Sequence, residues 1–336
     1  MIVLTSLRSK LSLYAVACGL ATLALVPLAP SPAGAGEAHG SRSPNPFAGA
    51  RLWVDPDSNA ATDAARLEDS DPDRSRLLRR IASRSQAIWL GDWTRNPRAE
   101  AGRQVTRIAA RRSLPVFVGY NIPLRDCGSY SAGGATSAAA YRRWIRGLAA
   151  GIGRRRAVVI LEPDALPGID CLTSGQRSER LGLLSYAVRA LEARPRTAVY
   201  IDAGHSAWQP AAEMGRRLRR AGVARARGFS LNVSNFGTTG SQVRYGRGVS
   251  RAAGGQRFVI DTSRNGRGPA PAGEWCNPAG RALGAPPRTR RLPSRLVDAL
   301  LWVKRPGESD GPCNGGPPSG RWWRDYALGL AQQAGG

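Results

Sequence analysis

Residues 157–166 read A-V-V-I-L-E-P-D-A-L. The first five are apolar and β-prone without polar relief, the pattern of a strand buried on both faces rather than one with a wet side. Pro163 has no N–H to offer a ladder and disfavours helix at the residue before it, so the strand is expected to stop at Glu162 and leave Asp164 on a short, stiff exit. A carboxylate held at the mouth of a buried strand suits catalysis. On these ten residues alone, Asp164 equally suits the cap of a following helix.

The same phrase recurs along the chain. Apolar, β-prone runs at 52–54, 87–90, 114–119, 157–161, 198–201, 228–233, 258–260 and 299–303 each lead into a cluster of Asp, Asn, Gly or Trp. Between them, stretches such as 137–152, 179–194 and 211–221 carry apolar residues at helical spacing with arginines on the other faces. Strands alternating with helices predict βα units and a parallel sheet, and so many units in one domain favour a closed barrel over an open sheet. In a barrel the C-terminal strand ends share one mouth. That mouth would gather Tyr120, Asn121, Arg125 and Asp126 after the third run, and Asp202, His205 and Trp208 after the fifth. Asp261, Ser263, Arg264, Asn265, Trp275 and Asn277 follow the seventh run, and Lys304, Glu308 and Asp310 the last.

Residues 1–35 read as a secretory signal: Arg8 and Lys10 precede an apolar run at 11–28, and Ala33, Gly34 and Ala35 offer a small-residue cleavage site. Pro27, Pro30 and Pro32 argue against a retained membrane anchor. Residues 36–50, rich in Gly, Ser and Pro, are expected to form a flexible lead-in, leaving one catalytic domain over 51–336 and an extracellular product. After Cys18, cysteines stand at 127, 171, 276 and 313; an even number in an exported chain predicts two disulfides. Of three possible connectivities, the clustering favours Cys127–Cys171 and Cys276–Cys313. There is no C-x-x-C and there are only two histidines, so neither a metal nor another cofactor is expected.

The net charge of +25 comes almost wholly from arginine, Lys10 and Lys304 being the only lysines. The arginines are spread over helical stretches as solvated faces, with no zinc-finger spacing and no aromatic RNA-binding signature, which argues against nucleic acid as a partner. Several carboxylates with the aromatic rings of Trp89, Trp93, Trp208, Trp275 and Trp302 point instead to a carbohydrate site. There one carboxylic acid protonates the leaving oxygen, a second carboxylate assists water, and sugar faces stack on flat rings. Crowding the acids raises the pKa of at least one, keeping it protonated near neutral pH.

Seven linked motifs sharpen this reading. L-W-V-D-P-D-S-N at 52–59, V-G-Y-N-I-P-L-R-D-C-G at 118–128, L-E-P-D-A-L at 161–166 and I-D-A-G-H-S-A-W at 201–208 come first. V-I-D-T-S-R-N-G-R-G-P at 259–269, E-W-C-N-P-x-G-R-A-L-G at 274–284 and L-W-V-K-R-P-G-E-S-D-G at 301–311 follow. In this order they resemble glycoside hydrolase family 6, closely its bacterial branch of inverting endo-β-1,4-glucanases, over residues 52–330. The resemblance implies a distorted seven-stranded parallel β/α barrel, a TIM-like variant with the 52–54 run outside it. It implies Asp164 as general acid, Asp126 as the carboxylate that raises the acid's pKa or acts as base through water, Asp310 as the candidate base and Asp202 as a supporting carboxylate. Tyr120 would distort the sugar ring, and Trp89, His205, Trp208, Asn232, Trp275, Lys304 and Glu308 would line glucose subsites. The same two disulfides are implied.

Ala132 falls where some members carry a serine that relays a proton through water, which makes Ser131 a candidate for that task. The segment after Cys313 is short, which favours an open cleft and internal cleavage. The expected function is therefore a secreted endo-β-1,4-glucanase, monomeric by default, acting on β-1,4-glucan or cello-oligosaccharides. A cellobiohydrolase, a hydrolase of a related β-glucan and a non-catalytic carbohydrate-binding protein are the alternatives.

Overall fold

The structure is a computed structural model and describes residues 44–334. The signal expected at 1–35, and the lead-in as far as residue 43, lie outside the described residues. Among the described residues nine strands form: β1 (Arg51–Leu52), β2 (Ile88–Gly91), β3 (Ser113–Leu114), β4 (Val116–Tyr120), β5 (Ala157–Leu161), β6 (Thr197–Asp202), β7 (Gly228–Leu231), β8 (Arg257–Asp261) and β9 (Val297–Leu301). Seven of them make one all-parallel sheet in the order β2-β4-β5-β6-β7-β8-β9. The run at 114–119 is cut by Pro115, which cannot donate to a ladder. Leu114 thus pairs with Leu52 in a separate β1–β3 ribbon while 116–120 enters the main sheet, so the 52–54 run stands outside the seven strands as expected.

The expectation of a closed barrel needs correction. The sheet curls, but β2 and β9 share no ladder. The seam is stitched instead by the Ala87 N–H on Trp302 O at 3.0 Å, the Trp89 indole N–H on Val303 O at 2.8 Å and Arg305 Nε on Ala87 O at 3.1 Å.

Among the described residues eight α-helices accompany the strands: α1 (Asn59–Arg66), α2 (Pro72–Ala82), α3 (Pro97–Ala110), α4 (Ala138–Ile152), α5 (Ser174–Glu192), α6 (Ala211–Arg220), α7 (Thr239–Ala252) and α8 (Arg324–Gln333). Their starts are chemically marked. Asp71 and Asn96 cap α2 and α3 ahead of a proline, Ser137 caps α4, and Thr173 with Gln176 closes a capping box on α5. On α4, Trp144, Ile145, Leu148 and Ile152 turn inward while Arg142, Arg143 and Arg146 face water.

Every residue of β5 is buried. Val159 and Leu161 pack with the helices, and Val158 and Ile160 fill the interior with Val118, Tyr200, Val259 and Leu301. That two-sided burial is why the run carries no polar residue. The interior is plugged at the N-terminal end of the strands by Phe47, fully buried against Tyr200 with ring centroids 6.1 Å apart. Asn45 Nδ2 donates to Asp298 O at 2.9 Å, and Pro46 O accepts from Arg156 at 2.9 Å. The flexible lead-in expected up to residue 50 is thus part of the packed domain from Asn45 onward, because one aromatic ring finds the barrel floor. The C-terminal strand ends are left for the site.

Candidate active site

At the exit of β5 the backbone takes left-handed turns at Glu162 (φ 51°) and Asp164 (φ 67°) around Pro163. Such conformations in non-glycine residues cost on the order of 1 kcal/mol or more and persist only where surroundings enforce them. A 3-10 turn at Ile169–Cys171 starts behind Gly168, and the next α-helix, α5, is capped by Thr173, so Asp164 caps neither. Its amide donates to Asp202 Oδ2 at 3.0 Å, and its side chain is half-buried at the mouth. Burial, and then the negative charges of Asp202, Asp126 and Asp310, push its carboxyl well above the usual range, with Lys304 opposing.

Asp202 ends β6, fully buried. Beside the Asp164 amide it accepts from the Gly204 N–H at 3.1 Å and the Ser230 hydroxyl at 3.0 Å, and burial pushes it up to about 6. Asp126 lies in a short turn beyond β4 and accepts the Ser131 N–H at 2.8 Å; burial raises it, against that hydrogen bond and the charge of Arg125. Asp310 is the exception. Burial alone would raise it, but Arg264 at 2.8 Å, Lys304 at 3.2 Å and the Asn277 N–H at 3.1 Å outweigh burial and hold it below the ordinary value. Tyr120 stands edge-on to Trp89 at 5.2 Å and beneath the Arg125 guanidinium at 4.4 Å. Burial and the charges of Asp164 and Asp126 keep its phenol protonated far above its usual range.

Both disulfides form as the clustering favoured, and both hold acid-bearing loops. Cys127–Cys171 ties the Asp126 turn to the segment beyond β5. Cys276–Cys313 joins the neighbours of Asn277 and Asp310. The loop after β4 also meets the short C-terminal loop: Ser131 Oγ lies 2.7 Å from Ser319 Oγ, and Tyr130 lies flat on Gly311, where any Cβ would come within 2.6 Å of its ring carbon. Exposed aromatics line the approach: Trp275, 6.0 Å from Tyr130, and Trp208, 5.6 Å from His205, whose imidazole pKa burial lowers. Among the described residues no group of three or more His, Cys, Asp or Glu is arranged to hold a metal ion.

Two expectations, Asn232 and Trp302, change in the structure, and Lys304 and Glu308 are found in ion pairs. Asn232 is fully buried; its amide donates to Asp261 O at 2.9 Å and Asn235 O at 3.2 Å and accepts from Gly237 N at 3.0 Å, so it anchors a loop and offers nothing to a sugar. Lys304 directs its ammonium to Asp310 and to Ser309 O at 3.1 Å. Glu308 is buried and paired with Arg305 at 2.9 Å. Trp302, expected in the mouth, is buried in a side cluster with α1, α2 and α8, its indole N–H on Ala285 O at 3.0 Å. Sequence reasoning placed Arg125 and Arg264 at the mouth but missed that they organise it. Arg125 donates to Tyr120 O at 2.7 Å, Ser131 O at 2.7 Å, Ala132 O at 3.2 Å and Asp92 at 3.2 Å, and Arg264 is completely buried on Asp310. Each lies at a strand end inside a quoted motif, but which loop carbonyls or acid it would hold depends on residues brought near only by the fold.

A curled parallel barrel whose mouth gathers four carboxylates, three raised toward their acid forms with Asp164 foremost and one, Asp310, held toward its base form, beside exposed aromatic faces, is built as an enzyme that cleaves sugar–sugar bonds. The family described as "Glycosyl hydrolases family 6" matches residues 47–334, and the chain belongs to that family. It is 46% identical to "Endoglucanase A" of Cellulomonas fimi over 87% of this chain and 62% of that protein. It is 44% identical to "Endoglucanase 1" of Streptomyces halstedii over 80% of this chain and 84% of that one. This chain therefore spans less than two thirds of the length of the Cellulomonas fimi relative. Among solved structures, the endoglucanase Cel6 from Mycobacterium tuberculosis, in complex with methyl-cellobiosyl-4-deoxy-4-thio-β-D-cellobioside, superposes with a TM-score of 0.83 at 47% identity, over 87% of this chain and all of that one.

Proposed function

We propose that the chain is a secreted, endo-acting β-1,4-glucanase that inverts the anomeric carbon, working as a monomer on β-1,4-glucan or cello-oligosaccharides. The observation that carries this reading is the opposite bias on two acids at one mouth: Asp164 pushed toward protonation, Asp310 held ionised. In this reading Asp164 donates its proton to the glycosidic oxygen while a water, relieved of its proton by Asp310, attacks the anomeric carbon from the opposite face. Asp202 and Asp126 keep the Asp164 carboxyl in its acid form by charge. Tyr120, rigidly held under Arg125, presses on the ring at the cleavage point, and Trp208 and Trp275 offer faces to flanking glucose units. The names of the relatives and the ligand of the Mycobacterium tuberculosis complex support the substrate class. The features of residues 1–35 and the two disulfides support export.

The test is hydrolysis of carboxymethyl-cellulose. Viscosity is expected to fall faster than reducing ends appear, as internal cleavage requires. Asp164→Asn is expected to lose at least about 100-fold in kcat while still binding cello-oligosaccharides, the share general acid catalysis commonly supplies. Full activity in that variant would sink the proposal.

A further inference from the structure

At the barrel mouth three strand-end carboxylates do the work of ladder carbonyls. Asp202 takes the Asp164 amide. Asp261, buried at the end of β8, takes four amides: Ser263 at 2.8 Å and Val303 at 3.2 Å on one oxygen, Lys304 at 2.9 Å and Ser234 at 3.1 Å on the other. Glu162 takes two on a single oxygen: Asn121 N–H at 2.9 Å and Ile122 N–H at 3.0 Å. The last β4–β5 pair is Gly119 with Leu161, so the amides just beyond it would be buried without a partner once Pro163 turns β5 away. Glu162 is itself only 1% exposed, and the reaction assigns it no task.

Its reach has a further consequence. Asn121 and Ile122 begin the loop that carries Asp126, while Glu162 lies two residues before Asp164. Arg180 of α5, 3% exposed, spans the same gap, donating to Pro123 O at 2.7 Å and Leu124 O at 2.9 Å on one loop and Ala165 O at 3.0 Å on the other. The Tyr141 hydroxyl also faces the Glu162 carboxyl and helps offset its burial. A surface strut would not be buried, and a core-filling residue would not be a glutamate in a left-handed backbone conformation.

We infer that Glu162 is a positioning residue for proton transfer, clamping, with Arg180, the Asp126 loop to the Asp164 loop so that the acid's proton points at the glycosidic oxygen. The inference rests on Asp164 being the general acid. It requires an acceptor oxygen at the right reach, not a negative charge. Glu162→Gln keeps both reach and acceptor; Glu162→Asp keeps the charge and shortens the reach; Glu162→Ala removes the clamp.

The experiment compares these variants on cellotetraose and on 2,4-dinitrophenyl β-cellobioside, whose leaving group departs without a proton. On cellotetraose, Glu162→Gln is expected within about 5-fold of the parent, whereas Glu162→Asp and Glu162→Ala lose on the order of 100-fold in kcat with KM little changed, as misplacement by about 1 Å does. On the dinitrophenyl substrate all three are expected within about 5-fold of the parent, because the step that needs the positioned proton is bypassed. Equal losses on both substrates, a loss carried by KM, or a Gln variant as poor as Ala would overturn the inference. Should Glu162→Ala fail to fold by circular dichroism, the Asp and Gln variants still decide it. A parent enzyme inactive on cellotetraose would count against the glucanase reading instead.

Discussion

Asp164 and Asp310 carry the same functional group under opposite fields, and the difference lies in their neighbours. Around Asp164 the charged groups are mostly carboxylates; around Asp310 they are a guanidinium at 2.8 Å and an ammonium at 3.2 Å. The pH dependence follows from the signs. An acid must be protonated, so activity falls as pH rises through the raised pKa of Asp164; a base must be ionised, so activity falls as pH drops through the pKa of the base. With Asp310 as base, the acidic limb of kcat/KM on soluble cello-oligosaccharides is expected below the ordinary carboxylate range. A limb at or above that range would instead assign the base to Asp126, whose carboxyl burial raises. Asp202→Asn keeps an acceptor for the Asp164 amide but removes the charge that most helps burial hold the Asp164 proton. In that variant the alkaline limb is expected to move to lower pH, and a limb left where it was would remove Asp202 from this role.

At the scale of elements, the loops matter more than the strands that carry them. Asp126 and Asp310 sit on turns that no regular structure would hold; Arg125, Arg264, Asn277 and the two disulfides hold them. The disulfides close segments with sequence separations of 44 and 37 residues, for which chain entropy gives roughly 4 kcal/mol each. Reduction is therefore expected to lower the melting temperature steeply in a calorimetric scan. It should also cost activity below the transition, since both bridged loops carry acids.

Away from the mouth, α1 is pinned to the C-terminal segment through buried Asp63. It accepts from Trp322 Nε1 at 2.7 Å, Arg324 Nε at 2.8 Å and Arg324 Nη2 at 3.1 Å. The Arg324 hydrogen bonds, outweighing burial, hold the carboxyl below its usual range. Its folded pKa is thus depressed, so its contribution is present above the unfolded value near 4 and is lost as pH falls through the folded one. Asp63→Asn is expected to destabilise at neutral pH by about 1–3 kcal/mol, with Arg324 part-exposed and the smaller figure favoured. The difference in thermal melts should close in acid.

For the whole molecule, much was legible because local pattern dictates local structure. Five apolar residues in a row made β5 a two-sided strand, Pro163 ended it, repetition of that phrase yielded the parallel sheet and the mouth, and the clustering of four cysteines favoured both pairings. The errors came where a side chain had to choose a direction. Asn232 and Trp302 belong to motifs that read as site lining, yet one amide is consumed at a loop and one indole at a side cluster, because partners distant in sequence, Asp261 and Ala285, reach them first. Phe47 looked like part of a tether until the barrel floor offered it a place. By itself, then, the sequence determined the strands, their order and the presence of acids at their ends, since period, proline and composition act within a few residues. Only the tertiary structure supplied the burial and charges that bias Asp164 toward its acid form and Asp310 toward its base form, and the hydrogen bonds from Asn121 and Ile122 that tie Glu162 to the loop across from it. Burial and the nearest charge are set by residues that meet only once the chain has folded: Arg264 stands 46 residues from Asp310, and Asn121 stands 41 from Glu162.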